Sequence, residues 1–197
     1  MKLNLYVGTG TKPETKELWR NFFSGRGCQV NWVTETNVLD SQPDILLFPG
    51  GKASQIAKAI GESQIAEIKN WVGLGGNYVG VCAGAYLASE TYNWSLHISP
   101  INVSRNWERG KHDVNIKLHD VNTNVVFYNG PVLESWRDIE IISTYSSNIG
   151  DHILKETPAI FTNNYGKGKV LLFSPHLEKT EDLKEELWTF LSDFYKR

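Results

Sequence analysis

Four consecutive apolar residues, Ile45-Leu46-Leu47-Phe48, run directly into Pro49-Gly50-Gly51. A strand with one wet face alternates polar and apolar residues; this one has no polar position to offer water, so both of its faces must be covered. Helices cover both faces of a parallel sheet, and strand and helix signals alternate through the first half of the chain. Leu3 to Val7 reads as a strand, as does Val30 to Val33, and Tyr78-Val79-Gly80-Val81 is a short strand that enters Cys82.

Between these strands lie helical patterns. Thr11-Lys12-Pro13-Glu14 has the Thr-x-x-Glu form of a capping box with proline in the first turn, and Leu18, Trp19, Phe22 and Phe23 follow on one face. Gly25 and Gly27 end that helix. Ile65, Ile68, Trp71 and Val72 recur at helical spacing before Gly73 and Gly75-Gly76, and Ala83 to Ser89 is expected to be helical. A last helix starting near Thr180 has Glu181 and Asp182 in its first turn. Its apolar stripe is Leu183, Leu187, Leu191 and Phe194, and Lys196-Arg197 sit at its negative end.

The middle of the chain breaks the rhythm. From Tyr92 to about Gly150 the segments alternate as strands do: Val114 to Leu118, Val125 to Tyr128 and Ile139 to Ile142. This stretch, residues 92–150, is read as an insertion of antiparallel strands and loops attached to the main sheet. A hairpin follows, Ala159 to Asn163 and Val170 to Phe173, around Tyr165-Gly166-Lys167-Gly168. The expectation is one α/β domain over residues 1–197, a three-layer α/β/α arrangement with a mostly parallel central sheet.

Composition excludes several functions. A chain of 197 residues that is 41% hydrophobic can bury a full core but leaves little room for a second domain. A net charge of −2 gives no electrostatic footprint for nucleic acid or an anionic membrane. The apolar run at the start is too short for a signal peptide, and no stretch approaches the roughly 20 apolar residues of a membrane span. Two cysteines, Cys28 and Cys82, do not make a disulfide scaffold, which points to a reducing cytoplasm.

Chemistry concentrates at three strand exits. Gly80-Val81-Cys82-Ala83-Gly84 puts a nucleophile on a sharp strand-to-helix turn, where the flanking glycines let the backbone fold tightly. The helix N-terminus behind it favours a thiolate, and the Ala83 amide points toward a developing oxyanion. Gly50-Gly51 lets backbone amides approach a ligand, with Gly51 as the second oxyanion donor. Ser174-Pro175-His176-Leu177-Glu178 supplies a base and, two residues on, a carboxylate to hold its tautomer. Each feature alone also fits a bland role: a buried cysteine, a strand-exit turn, a solvated loop pair. All three at strand exits, in this order, are far more specific, because ligands bind at the carboxyl ends of strands in open α/β sheets.

In these elements the chain resembles the class I glutamine amidotransferases: a Gly-Gly oxyanion turn, a Gly-x-Cys-x-Gly elbow and a late His-x-Glu. More closely it resembles the family named for the N-terminal domain of eukaryotic biotin–protein ligases. That resemblance runs through Gly8-Thr9-Gly10-Thr11-Lys12-Pro13-Glu14, Leu47-Phe48-Pro49-Gly50-Gly51, Gly80 to Tyr86, Tyr128-Asn129-Gly130, Gly166-Lys167-Gly168 and Pro175-His176-Leu177-Glu178. It implies a flavodoxin-like fold, with Cys82 as nucleophile, His176 as base and Glu178 as its partner, and it makes Gly50, Tyr128 and Asn129 pocket-facing. Where many glutaminase domains carry Gln soon after the elbow, Ala85-Tyr86 stands here. Gly25-Arg26-Gly27 resembles a fragment of the adenylate loop of biotin ligases, but the rest of that loop is missing and helix termination accounts for its glycines.

The other histidines, His97, His112, His119 and His152, lack metal-ligand spacing, and hydrolysis of an amide through Cys82 requires neither a metal nor an organic cofactor. Cys28 reads as a small hydrophobe near a strand start. Trp94, Trp107 and Trp136 read as core packing ahead of pocket lining. The leading reading is a cysteine-dependent amide hydrolase or amidotransferase-like enzyme acting on a small-molecule amide, and the associate expected of it is a partner synthase subunit. The alternatives are a non-catalytic binding or regulatory module on the same fold and a cysteine-based redox protein.

Overall fold

The computed structural model describes residues 1–106 and 108–196. Trp107 and Arg197 lie outside the described residues. The elements in chain order are β1 (Lys2–Tyr6), α1 (Thr15–Phe23), β2 (Gln29–Val33), β3 (Ile45–Phe48), α2 (Ala53–Gly73), β4 (Asn77–Val81) and α3 (Ala83–Ala88). Then come β5 (Ile101–Val103), β6 (Lys111–Leu118), β7 (Val121–Tyr128), β8 (Leu133–Trp136), β9 (Glu140–Tyr145), β10 (Pro158–Tyr165), β11 (Gly168–Phe173) and α4 (Lys184–Lys196).

One sheet of nine strands, ordered β2-β1-β3-β4-β11-β10-β9-β6-β7, organises the molecule. The first five strands pair in parallel and the last four in antiparallel fashion. Every residue of β3 is buried, as its unbroken apolar sequence requires. Side chains alternate between two faces of the sheet. Leu3, Leu5, Ile45, Leu47, Val79 and Val81 therefore pack on one side with Trp19, Phe22, Leu187 and Leu191. Leu46, Phe48 and Tyr78 pack on the other with Ile56, Ile60, Ile68 and Val72. This mostly parallel core between helices is a flavodoxin-like α/β fold.

The inserted strands β6, β7 and β9 continue this sheet, and β5 and β8 form a separate two-stranded ribbon that the sequence pattern does not reveal. The antiparallel half coils until its edge meets the parallel half again. Val126 of β7 forms a bridge with His176, just beyond β11, and the His176 N–H donates to the Val126 carbonyl at 2.8 Å.

Local expectations need three corrections. The capping box does not form: α1 starts at Thr15 without a side-chain cap, while Thr11 bridges Gly51 and its hydroxyl donates to the Gly8 carbonyl at 2.7 Å. The threonine is worth more to the glycine turn beside the site than to the helix. The helix carrying Ile65 to Val72 begins twelve residues earlier, at Ala53, and its two parts meet at a kink where Gly61 has φ 74°. At the C-terminus, Glu181–Leu183 form a 3₁₀ turn and the α-helix starts at Lys184, with Leu187, Leu191 and Phe194 buried as the stripe predicts.

Candidate active site

β4 delivers Cys82 to the carboxyl edge of the sheet, and α3 starts at the next residue. The backbone turns there with φ 49° and ψ −96° at Cys82, a conformation that costs a side-chain-bearing residue about 1–3 kcal/mol and persists only where its surroundings enforce it. They do so from both sides. The Cys82 N–H continues the sheet by donating to the Phe173 carbonyl at 2.8 Å, and the Cys82 carbonyl accepts from Ala85 and Tyr86 at 3.0 Å. The turn closes only because its flanks lack side chains: a Cβ on Gly80 would lie 2.6 Å from the Gly84 carbonyl carbon, and one on Gly84 would lie 2.2 Å from the Phe48 oxygen.

β11 delivers the second group. His176 and Glu178 are each only 2% exposed, and the His176 Nδ1–H donates to Glu178 Oε1 at 2.6 Å. That contact fixes the tautomer and leaves Nε2 for the thiol. Glu178 Oε2 is buried without a hydrogen-bond partner, so the carboxylate spends its charge on the imidazole. Burial works against a charged ring, yet the carboxylate of Glu178 and the sulphur of Cys82, by charge and by hydrogen bonding, overcome it and raise the His176 pKa to about 9. The shift favours the imidazolium form of the ring.

Gly50 lies against this pair. A Cβ there would stand 2.6 Å from His176 Cε1, so the absent side chain is what gives the imidazole its place. Gly51 is held by the Thr11 bridge and by the Lys52 N–H, which donates to the Gly10 carbonyl at 2.8 Å. Among the described residues neither the Gly51 nor the Ala83 N–H is engaged by an acceptor. Both donors are open, as an oxyanion site requires.

The inserted strands cover the thiol. Cys82 is 5% exposed, and its S–H lies 3.5 Å from the Tyr128 carbonyl oxygen. The Tyr128 side chain turns outward beneath the Lys12 ammonium, 4.9 Å from the ring centre. Asn129, at φ 52°, uses its Oδ1 to accept from the Arg109 N–H at 2.8 Å and the Gly110 N–H at 2.6 Å. Gly130 lies flat on the Ser174 carbonyl, where a Cβ would come within 2.2 Å. The Tyr128-Asn129-Gly130 segment is thus a backbone clasp over the cysteine.

Sequence reasoning missed the polar groups that tie this clasp down. The Tyr86 hydroxyl donates to the Gly130 carbonyl at 3.3 Å, the Tyr145 hydroxyl to Ser174 Oγ at 2.7 Å, and Ser174 Oγ to the Pro131 carbonyl at 2.7 Å. Ser174 precedes Pro175-His176 in the chain, and that adjacency was the available signal. Nothing in the sequence marks Tyr145 or the buried Arg109. Cys28 is half-buried just before β2, and burial pushes its pKa up. Trp94 stacks on Tyr92, and Trp136 is largely exposed, so it is not core as expected. Among the described residues no group of His, Cys, Asp and Glu could hold a metal ion, and no helix is long and apolar enough to cross a membrane.

The architecture is a class I glutamine amidotransferase-like fold. It superposes on a crystal structure of a glutamine amidotransferase with a TM-score of 0.74 and 20% identity, covering 99% of both chains. Against PurLQS from Thermotoga maritima the TM-score is 0.74 with 15% identity over 97% of both chains. A protein from Thermoplasma acidophilum, assigned to GMP synthase as one of its subunits, gives 0.64 and 12%, covering 98% of this chain and 92% of the other. Within that class, residues 29–111 match the family described as "Biotin-protein ligase, N terminal". No curated protein sequence matches the chain.

Proposed function

We propose that the protein is a cysteine-dependent amide hydrolase or amidotransferase-like enzyme. The observation that carries this reading is the strained Cys82 elbow beside a buried His176–Glu178 pair joined at 2.6 Å. A cysteine at φ 49° and ψ −96° stores strain that packing alone does not call for, and a buried carboxylate oxygen without a partner calls for an explanation.

In the proposed reaction the Cys82 thiolate attacks a carboxamide carbon, and the new oxyanion takes hydrogen bonds from the Gly51 and Ala83 N–H groups. The His176 imidazolium gives its Nε2 proton to the departing amine as the C–N bond breaks, leaving an acyl thioester. Neutral His176 then removes a proton from water, which attacks the thioester; acid leaves and the thiol is restored. Attack needs the carbonyl carbon about 3–3.5 Å from sulphur, so the Tyr128 carbonyl has to give way as substrate enters. A synthase that consumes the released ammonia is the natural partner, as the name of the GMP synthase neighbour suggests.

That covered thiol also favours a second reading, a binding module on the same fold that does not turn over. Ammonia release from a panel of carboxamides, with intact-mass analysis for an acyl adduct, separates the two. The enzyme reading expects ammonia and an adduct of the acyl mass on wild type, and neither on Cys82→Ala. Absence of both from wild type across the panel, with ligand binding unaffected by loss of the thiol, would establish the binding module instead.

A further inference from the structure

Glu35 lies two residues beyond β2, yet its carboxylate turns back onto the glycine turn that follows β1. Glu35 Oε1 accepts from the Thr9 N–H at 2.5 Å. The buried Tyr6 hydroxyl lies 3.0 Å from the Thr9 carbonyl oxygen and 3.2 Å from the same Oε1, so its proton serves both. Thr9 is thus gripped by its N–H and by its carbonyl. Gly8 leaves the room for this: a Cβ there would stand 2.7 Å from Glu35 Oε1 and 2.8 Å from the Tyr6 hydroxyl. These contacts, the one with Thr9 foremost, lower the Glu35 pKa to about 2.

The gripped turn is the one on which Gly51 lies. The Thr11 N–H and hydroxyl both donate to the Gly8 carbonyl, at 3.2 and 2.7 Å, and Thr11 bridges Gly51. Gly51 presses on Gly10 so closely that a Cβ would come within 2.3 Å of the Gly10 oxygen, which accepts from the Lys52 N–H at 2.8 Å. Tyr6 supports the other end of the same segment. Its ring stacks on Phe48 with centroids 5.0 Å apart, and Phe48 runs into Pro49-Gly50-Gly51. Among the described residues the Gly51 N–H has no acceptor, so its direction is set by the backbone beneath it. A donor stabilises an oxyanion only as far as it is aimed beforehand. A carboxylate tied to a surface loop ordinarily serves that loop alone; here the other face of the loop is Gly51.

We infer that Glu35 is a positioning residue of the oxyanion site, fixing the direction of the Gly51 N–H through Thr9, Gly10 and Thr11. The inference rests on the proposed function, which gives that N–H an oxyanion to hold.

Two reagents separate the oxyanion from the thiol. p-Nitrophenyl acetate acylates a thiolate through a tetrahedral oxyanion and releases p-nitrophenolate, whereas iodoacetamide alkylates it by displacing iodide, with no oxyanion. Rates at Cys82 are followed by mass mapping, with Cys28 as internal reference, in wild type, Glu35→Ala, Glu35→Gln and Gly8→Ala. Glu35→Ala should slow acylation of Cys82 about ten- to a hundredfold and leave its alkylation within about twofold. Glu35→Gln keeps an oxygen for the Thr9 N–H and should restore most of the acylation rate. Gly8→Ala, whose methyl displaces the carboxylate from the other side, should reproduce Glu35→Ala. Amide relaxation measures the hold itself: the Gly51 order parameter should fall from about 0.85 in wild type toward 0.6 in Glu35→Ala, with Ala83 unmoved. Equal losses of acylation and alkylation, an unmoved Gly51 order parameter, or a Glu35→Ala protein that melts lower but acylates like wild type each overturns the inference and leaves the nucleophile standing. A wild-type Cys82 no more reactive than Cys28 toward either reagent overturns the proposed function and the inference with it.

Discussion

The two halves of the sheet treat polar groups differently. In the parallel half, the segments that follow β3, β4 and β11 bring Gly50, Cys82 and His176 together, and what meets there beside the glycine is side chains. In the antiparallel half, β7 contributes backbone: the Tyr128 carbonyl against the thiol and the Val126 carbonyl under the His176 N–H. Parallel strands align their carboxyl ends along one edge, so residues far apart in sequence converge there. Antiparallel strands exchange ends at every turn and converge nowhere in particular, but their edge can coil back over a site. The difference is that one half gathers distant side chains and the other lays backbone over them.

The sharpest way to break that division is to remove the parallel half's side chains. Cys82→Ala and His176→Ala should each cut amide hydrolysis about a thousandfold or more, and the double variant should be no worse than either single one. Cys82→Ala should melt within a few degrees of wild type, whereas His176→Ala strips the buried Glu178 carboxylate of its partner and should melt lower. Steady-state ammonia release and calorimetric melting check this; additive losses would mean that thiol and imidazole do not act as one unit.

Next in size is Gly50→Ala. The new methyl stands 2.6 Å from His176 Cε1 and must push the ring away from the thiol. Displacement by about 1 Å costs on the order of a hundredfold in rate. The loss should appear in kcat with little change in substrate affinity.

Glu178→Gln should be milder, about ten- to thirtyfold, as part of the full acid–base effect. It also tests the charge on His176, whose pKa stands at about 9 against an ordinary 6.5. A base raised in the folded state adds stability that is complete below pH 6.5 and is lost as pH rises through 9. The melting difference between wild type and Glu178→Gln should therefore be widest near pH 6 and shrink toward pH 9. The alkaline limb of the pH–rate profile should move downward in the variant. A melting gap that does not change with pH would show that Glu178 acts by packing and not by charge.

The smallest effects belong to the antiparallel half. Asn129→Ala leaves two N–H groups without their acceptor and puts alanine at φ 52°, a loss of about 1–3 kcal/mol in unfolding free energy. Tyr128→Ala removes an outward ring beneath Lys12 and should cost about 0.5–1 kcal/mol or less, because the thiol's partner is the main-chain carbonyl. Denaturant titration ranks the two. A larger loss for Tyr128→Ala would mean that β7 serves the site through its side chain.

How much of this was legible in the sequence follows the same division. Glycine and an apolar run leave marks that need no tertiary contact to read. Ile45 to Phe48 required a doubly covered strand, and the glycines around Cys82 required a tight turn, because each mark states a local steric or solvation demand. Thr11 misled for the same local reason: Thr-x-x-Glu describes a cap that a hydroxyl forms only if nothing better is in reach, and the Gly8 carbonyl was. The β5–β8 ribbon left no mark because two short strands carry too few residues for a period to show.

By itself, then, the sequence determined the α/β class, the parallel core and the three turns that carry Gly51, Cys82 and His176-Leu177-Glu178. Only the tertiary structure decided that Gly50 makes room for an imidazole, that Asn129 accepts from the Arg109 and Gly110 N–H groups, and that among the described residues no carboxylate pairs with the buried Arg109. The physical reason is range. Backbone sterics and strand burial are set by residues a few positions apart, whereas desolvation and charge pairing depend on which distant atoms fill the space around a group, and no local pattern records them.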